Sequence, residues 1–551
     1  MKKIIIAISL VLTVYTVLGQ ITNTGRLENI KDAWNLSYTY TGEIKNGKPN
    51  GMGVATYSSG NVIRYVGSFV NGMYSGKGTM LFEDGAFLSG TWANGKLNGK
   101  GTNLTDKGVL YIGDFADGHR NGKGVMFYAD NSFVSGGFVN DNLKGRCINS
   151  WNDYKIISDN IYDNNERNGP GYQYEAESKK LFEGIWKDDK WEQAGTAGFK
   201  SFLTAPGFIG ESTSTHVLMG RVNASNYLMD SAFYYDVQKK KRYFGYFVNG
   251  KLTNGLLVND STRFLGTLND KGANGYCYDF FAGHYYSEGN YTDDHLDGQI
   301  LDIDLTKKTV YYGQAVNGVF TGKAMHFDNY GNMFSGYYKE GKFTGVGYRL
   351  ASTGRYVSGT FDDGVVTKLD LLITADGQKI YGNPKTFNEA LASVIGTYDN
   401  TFTDLLGDYM DDEDVYNKFQ FGDAGNLEFS YSLIRIPGSI EDNAVITDYG
   451  DMNCYSAIFA IHSDGNKAAA KYSELAKLLQ AFSYSDAKTK RTLKLTGKVN
   501  TVNLSDKKTV SVFTFPADME KFTNLKILIS CVKDEESGSY SVILSIGEQI
   551  E

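Results

Sequence analysis

At 551 residues the chain has room for several domains and for sizeable cores. Aromatics make up 14% of it, glycine is abundant at 64 residues and proline scarce at 6, which excludes a disordered or collagen-like chain and points to many strands and tight turns. The net charge of −8 is unevenly spread: residues 383–551 carry 16 Lys/Arg against 25 Asp/Glu, a net of −9, which leaves residues 1–382 near neutral at +1, and nothing in this balance favours nucleic acid.

In chain order, the first element is an export signal over residues 1–19. Lys2 and Lys3 form a basic start, Ile4 to Leu18 is an apolar run, and the small residues Val17 and Gly19 suit cleavage before Gln20. The run is shorter than the ~20 residues a membrane span needs. The mature chain is therefore expected in the periplasm or outside the cell. Residues 20–37 form a lead-in.

From residue 38 the sequence repeats. Tyr40-Thr-Gly42-Glu-Ile44-Lys-Asn46-Gly47, then Gly51-Met-Gly53, recurs as Tyr65-Val-Gly67-Ser-Phe69-Val-Asn71-Gly72 with Gly76 and Gly78. Further copies surround Gly90-Thr-Trp92 and Tyr111-Ile-Gly113-Asp-Phe115, so the lead glycines stand 25, 23 and 23 residues apart. Degenerate copies follow at Gly136 and Gly184, and a second run has lead glycines at 245, 266, 289, 313, 336 and 359. Strand side chains alternate between faces, so Tyr40, Gly42 and Ile44 share one face and Thr41, Glu43 and Lys45 the other. Two residues after each lead glycine stand Ile44, Phe69, Trp92, Phe115, Phe138, Trp186, Phe247, Leu268, Tyr291, Ala315, Tyr338 and Phe361, a stripe expected to serve as core. Asn-Gly and Asp-Gly pairs such as Asn71-Gly72 and Asp117-Gly118 then mark tight hairpin turns.

This pattern resembles the MORN repeat, close to Y-x-G-x-W/F-x-x-G-x-x-x-G-x-G, over roughly residues 38–382. The resemblance implies a mainly β fold: an elongated antiparallel β-hairpin array in two runs, 38–193 and 216–382, with residues 194–215 inserted between them. Continuity through residues 145–240 is open, because the copies near Asn160 and Gly220 have decayed. Laid in one line, twelve to fourteen two-strand repeats would span on the order of 115–135 Å at ~4.8 Å per strand. A single sheet cannot bury its apolar face alone, so a partner or a second copy covering the aromatic face is one expectation.

Beyond residue 382 the period stops. Residues 385–551 read as a C-terminal α+β domain joined by a short Gly-Asn-Pro link, which should orient it only loosely. Thr386-Phe-Asn-Glu389 is a capping box for a helix bearing Leu391, Val394 and Ile395. A second helix, Asn466 to Phe482, places Ala468, Tyr472, Leu475, Leu479 and Phe482 on one face. Strand-like runs are Leu427–Ile436, Tyr455–His462, Val510–Phe515, Leu525–Val532 and Tyr540–Ile546.

Catalytic signals are sparse. Gly90–Lys96, Gly245–Lys251 and Gly336–Lys342 read G-x-x-x-x-G-K, yet they lack the following Ser/Thr and the strand-to-helix setting of a phosphate loop. Four cysteines are not a disulfide framework; of them only Cys454 and Cys531 are placed to pair. His462 and Cys531 are the one thiol–imidazole pair the C-terminal domain offers. The acidic run Asp408-Tyr-Met-Asp411-Asp412-Glu413-Asp414 reads as a solvated helix end without calcium-loop spacing. No catalytic, cofactor-binding or metal site residue is assigned, and no cofactor. The function expected is that of an exported, non-catalytic binding platform for a protein partner. The alternatives are a membrane-surface protein, disfavoured by the near-neutral array, and an enzyme with its site in the C-terminal domain.

Overall fold

The computed structural model describes residues 24–548 except 33–34, 152–154, 193–207, 226, 375–376, 383, 399–401, 403–404, 410–427, 441–443, 448–453, 487–488 and 536. The export segment, most of the expected insertion and Asp411–Asp414 lie outside the described residues.

Each repeat is an antiparallel hairpin. At the Asn46-Gly47 tip both residues have positive φ (53° and 71°), the left-handed pair that a two-residue turn needs to match strand twist. Successive tips are themselves bonded: Gly72 N–H donates to Pro49 O (2.8 Å), Gly95 to Tyr74 O (3.0 Å) and Gly118 to Leu97 O (2.9 Å). The register slips just after the lead glycine, between Gly42 and Ile44, Gly67 and Phe69, Gly90 and Trp92, Gly113 and Phe115. Such a bulge in successive hairpins bends the sheet along a line at right angles to its strands.

The glycines make room for rings. A Cβ on Gly78 would sit 2.1 Å from the Tyr65 hydroxyl, and one on Gly53 would sit 2.5 Å from the Tyr40 ring. Each tyrosine thus lies flat over the glycines of its own hairpin and meets the stripe residue of the next: Tyr40 with Phe69 (4.9 Å), Tyr65 with Trp92 (5.3 Å) and Tyr111 with Phe138 (5.2 Å), all edge to face. The stripe is core, as expected; Phe69, Trp92, Phe115, Phe138, Trp186, Phe247, Tyr291, Ala315, Tyr338 and Phe361 are buried.

The array does not run in one line. Fifteen strands from Thr24 to Glu192 form a first sheet and seventeen from Phe208 to Tyr381 a second, each in strict chain order. The second lies face to face against the first in the reverse direction. Arg26 bonds Ser352 O, Arg64 bonds Asp328 O and Asn329 O, the Thr79 hydroxyl meets that of Tyr312 (2.6 Å), Thr102 meets Tyr286 (2.6 Å) and Arg263 bonds Asn131. One apolar cluster joins Val54, Val66, Leu81, Phe87, Leu110 and Phe127 to Phe233, Leu256, Phe280, Ile303, Phe327 and Tyr356. The in-line length of the array is thus folded in half. The physical reason is that both faces of these strands are apolar: the stripe packs on itself, and the alternate residues need a second sheet. The decayed copies keep the hairpin form, with Asn160 standing where a lead glycine would be. Residues 208–212, expected within the insertion, are the first strand of the second sheet.

The C-terminal unit is an antiparallel sheet of eight strands whose centre is Cys454–His462, Tyr540–Gly547, Lys526–Lys533 and Lys508–Thr514 in that order. Helix α1 (Phe387–Gly396) carries the expected reciprocal capping box between Thr386 and Glu389 and buries Leu391, Val394 and Ile395. Helix α2 (Gly465–Ala481), capped by Asp464, buries Ala468, Tyr472, Leu475 and Leu479 against the central strands. The junction is tighter than the Gly-Asn-Pro link suggests. Leu369, Leu372 and Ile380 of the last hairpins share one core with Phe387, Leu391, Tyr455 and Phe459, and the Tyr484 hydroxyl donates to Gln378 (2.8 Å).

Candidate functional site

The bulge line divides the inner face of each sheet in two. On the side away from the tips, Val66, Thr79, Thr102 and Val125 are buried against the opposite sheet. On the tip side, one pleat further along the same strands, Lys77, Lys100, Lys123 and Arg146 are exposed. The two sheets touch along one half of their inner faces and part along the other. Part of the cleft so formed has a volume of about 660 Å³ and is lined by Lys100, Lys123 and Arg146 on one side and Leu265 and Tyr278 on the other.

The repeat fixes what stands in the cleft. In four successive return strands the residue after the first return glycine is a cation that turns inward: Lys77 in Gly76-Lys77-Gly78, Lys100 in Gly99-Lys100-Gly101, Lys123 in Gly122-Lys123-Gly124, and Arg146 ahead of Cys147; Met52 holds the place in the return strand before them and Pro170 in the one after. With two strands per repeat at ~4.8 Å each, the four cations form a row at intervals of roughly 9.6 Å. Lys100 pairs with Asp114 (2.7 Å) and Arg146 with Asp159 (2.5 Å); Lys77 and Lys123 make no ion pair among the described residues. Burial alone would raise the Asp114 carboxyl, but the Lys100 ammonium, the Lys123 N–H and the charge of both lysines hold it below its ordinary value.

The second sheet presents different residues at the matching positions: Asn254, Tyr276, Gln299, Lys323 and Val346 on its return strands, and Tyr246, Thr267, Asn290, Gln314 and Tyr337 across from them. Tyr246, Tyr276 and Tyr337 are 52%, 51% and 43% exposed, a high value for rings in the face of a sheet. Tyr276 meets Tyr278 edge to face (5.5 Å), and the Lys323 ammonium lies 5.5 Å from the Tyr337 ring centre. Burial first, and then Glu288, pushes the Tyr278 hydroxyl above its ordinary value. One wall of the cleft therefore carries the row of cations, two of them paired with Asp114 and Asp159, and the other is aromatic and amide-rich with one carboxylate, Glu288, held by Tyr286.

The residues examined for catalysis lie elsewhere. Each G-x-x-x-x-G-K segment crosses a hairpin tip, as Gly90 in strand Phe87–Ala93 and Lys96 at the start of Lys96–Leu104 show; Lys251 and Lys342 pair with Asp270 and Asp363. All four cysteines are buried and free. Cys454 and Cys531 are not a bridge: they sit two strands apart and near opposite ends of the ladder, on the order of 15–20 Å. Cys531 stands opposite Val542 whereas His462 stands opposite Tyr540, and burial raises the Cys531 thiol above its ordinary value, the reverse of activation. Burial likewise pushes the Cys147 thiol up to about 11 and that of Cys454 up to about 12. Asp408 and Tyr409 end a short strand, Leu406–Tyr409; the rest of the acidic run lies outside the described residues. Among the described residues no three His, Cys, Asp or Glu side chains gather as a metal site, and no helix is long and apolar enough to cross a membrane. The cleft was not foreseen from sequence, although its signal is there: a cation recurs every 23 residues at positions 77, 100, 123 and 146.

Comparison with known proteins agrees with the geometry. The MORN-repeat family model matches residues 40–62, 65–87, 89–102 and 111–133, four consecutive hairpins of the first sheet; the C-terminal unit is not matched. A search of the curated proteins finds no match. The second sheet continues the same hairpin, with lead glycines opposite Gly255 and Gly347 as Gly67 is opposite Gly78.

Proposed function

We propose that this chain, which carries four MORN repeats in its first sheet, is an exported, non-catalytic binding protein whose two-sheet body is the platform. The observation that carries this reading is the open half of the inner faces. Folding buries the stripe and half of each inner face, yet leaves a periodic row of cations facing exposed tyrosines.

The C-terminal unit shares its core with the last hairpins and closes that end of the second sheet. Its sheet-end position protects strands whose free edge would otherwise invite aggregation. Binding specificity is assigned to the cleft, and the C-terminal unit is a cap and an orienting element.

Site-specific photo-crosslinking in the compartment where the mature chain resides tests this. A crosslinker at Gln314 or Tyr337, inside the cleft, should trap bound material, and one at Lys107, on a turn at the far edge, should not. Equal trapping at all three positions, or none at any, contradicts a cleft platform. Intact mass should place the mature N-terminus at Gln20; a retained Met1 contradicts export.

A further inference from the structure

We infer that the cleft takes a linear polysaccharide bearing one carboxylate per disaccharide, an inference that rests on the cleft being a binding site. Four features select this chemistry over an acidic peptide or a lipid headgroup.

The first is what the walls are made of. Both are faces of sheets, so outside the bulges the backbone N–H and C=O groups of the inner strands are already used in ladders. An extended peptide in the cleft would leave its own backbone groups with few partners, because peptide capture on sheets works through free edges. A glycan needs no backbone partners: its hydroxyls can be met by side-chain amides and hydroxyls. Ser68, Thr91, Asn254, Thr267, Asn290 and Gln314 supply them from the rows that flank the cleft.

The second is the exposed rings. Tyr246, Tyr276 and Tyr337 lie in a sheet face with about half of each side chain in water. Flat rings held on a rigid sheet can offer their faces to the apolar C–H faces of pyranose rings, with the Tyr276 hydroxyl held by Glu288.

The third is the period. Lys77, Lys100, Lys123 and Arg146 recur at roughly 9.6 Å over three intervals. That interval is close to the rise of one disaccharide unit in an extended glycan. A ligand with one carboxylate per disaccharide therefore meets a cation at each step. A single phosphate headgroup would use one step of the row and leave the periodicity without purpose.

The fourth is charge. Lys77 and Lys123 stand outside ion-pair distance of any carboxylate among the described residues, though the Lys123 charge acts on Asp114, and they alternate along the row with Lys100 and Arg146, which are in ion pairs. The wall thus attracts anions without being densely basic, which suits a polymer of low charge density over a nucleic acid.

Calorimetric titration of the full mature chain tests the inference with three probes: hyaluronan oligosaccharides, neutral cello-oligosaccharides of equal length, and poly-glutamate. Hyaluronan should bind, about tenfold or more tighter than the neutral glycan, with affinity falling as salt rises. Tyr276→Ala with Tyr337→Ala should weaken it about tenfold or more, and Lys77→Gln with Lys123→Gln should weaken it and flatten the salt dependence; circular-dichroism melts should be unchanged. Poly-glutamate binding as tight as hyaluronan, or hyaluronan binding untouched by the tyrosine pair, overturns the glycan assignment. If crosslinks still form from Gln314 or Tyr337, such a result leaves the cleft as a platform for another ligand. If crosslinks also fail there, the platform reading falls with it.

Discussion

The first and second sheets repeat the same kind of hairpin, and they differ in charge along the row that faces the cleft. In both, a lead glycine or its replacement stands across the hairpin from a glycine or a small or apolar residue, as Gly67 opposite Gly78, Gly136 opposite Cys147 and Gly289 opposite Ile300, and a mostly aromatic stripe joins each repeat to the next. In the first sheet the inward residue beside the return glycines is Met52, Lys77, Lys100, Lys123, Arg146 and Pro170 in turn, four cations in a row between two uncharged ends; in the second it is Asn254, Tyr276, Gln299, Lys323 and Val346. The difference teaches how a repeat separates tasks. Positions that fold the hairpin keep one chemistry in both sheets, and the one inward position that folding leaves exposed is where the sheets diverge.

The largest test of the shared part is removal of a stripe ring from each sheet. Trp92 and Phe361 are 2% and 1% exposed, so Trp92→Ala and Phe361→Ala should each cost roughly 3–5 kcal/mol. Chemical denaturation measures both. A loss in one sheet only would mean that the stripes do different work.

Next is the seam. Tyr286 shares a hydroxyl contact with Thr102 of the other sheet and donates to Glu288 (2.6 Å). Tyr286→Phe leaves both partners short of a bond in a buried place and should cost about 1–3 kcal/mol. Hydrogen exchange should rise on both sides, around Thr102 as well as Tyr286. A rise confined to the second sheet would contradict the shared core.

A smaller effect concerns a charge that only the second sheet carries. Asp302 stands where the first sheet has Asn103. Burial, and after it Asp304 and Asp279, holds the Asp302 carboxyl above its ordinary value, against the bond it accepts from the Ser287 hydroxyl. A carboxyl raised on folding stabilises least when ionised: stability is full below the unfolded pKa and falls as pH rises through the folded one. Asp302→Asn, which copies the first sheet, should therefore raise Tm at pH 7.5 on the order of 1 °C. The gain should vanish as pH falls toward about 4. A gain that grows on acidification would reverse the sign.

The smallest effect is expected in the row that differs. Lys77→Gln and Lys123→Gln, both exposed and outside any ion pair, should change stability by no more than about 0.5 kcal/mol. Thermal melts decide it. A large loss would mean that the cationic row serves folding.

Much of this was readable from sequence because local chemistry dictates it. The Asn-Gly tips, the glycine spacing and the stripe at Phe69, Trp92 and Phe361 follow from turn geometry and strand alternation. The capping box at Thr386–Glu389 and the buried face of α2 follow from helix periodicity. The doubling back did not show, because Val54, Val66 and Val125 read as ordinary strand residues until a second sheet is seen to cover them. Short strands such as Thr496–Lys498, exposed at all three positions, carry no burial pattern to detect. The close joint at residue 382 was hidden for a related reason: Leu372 and Ile380 look like the last residues of a hairpin, and their partners Leu391 and Phe459 are distant in sequence. The cleft is a consequence of the doubling back, so its cations could be counted but not placed.

The doubling back is tested most directly by distance. Spin labels at Glu28 and Thr353 can be introduced without interference, since all four native cysteines are buried. Arg26 and Ser352 are hydrogen-bonded (2.8 Å), so the two labels should lie within about 25 Å of each other, allowing for label reach. A single-line array would put roughly thirty strands between them, on the order of 140 Å at ~4.8 Å per strand. A short, well-defined distance by double electron–electron resonance on the full chain is the predicted result, and loss of any resolvable short distance would contradict it.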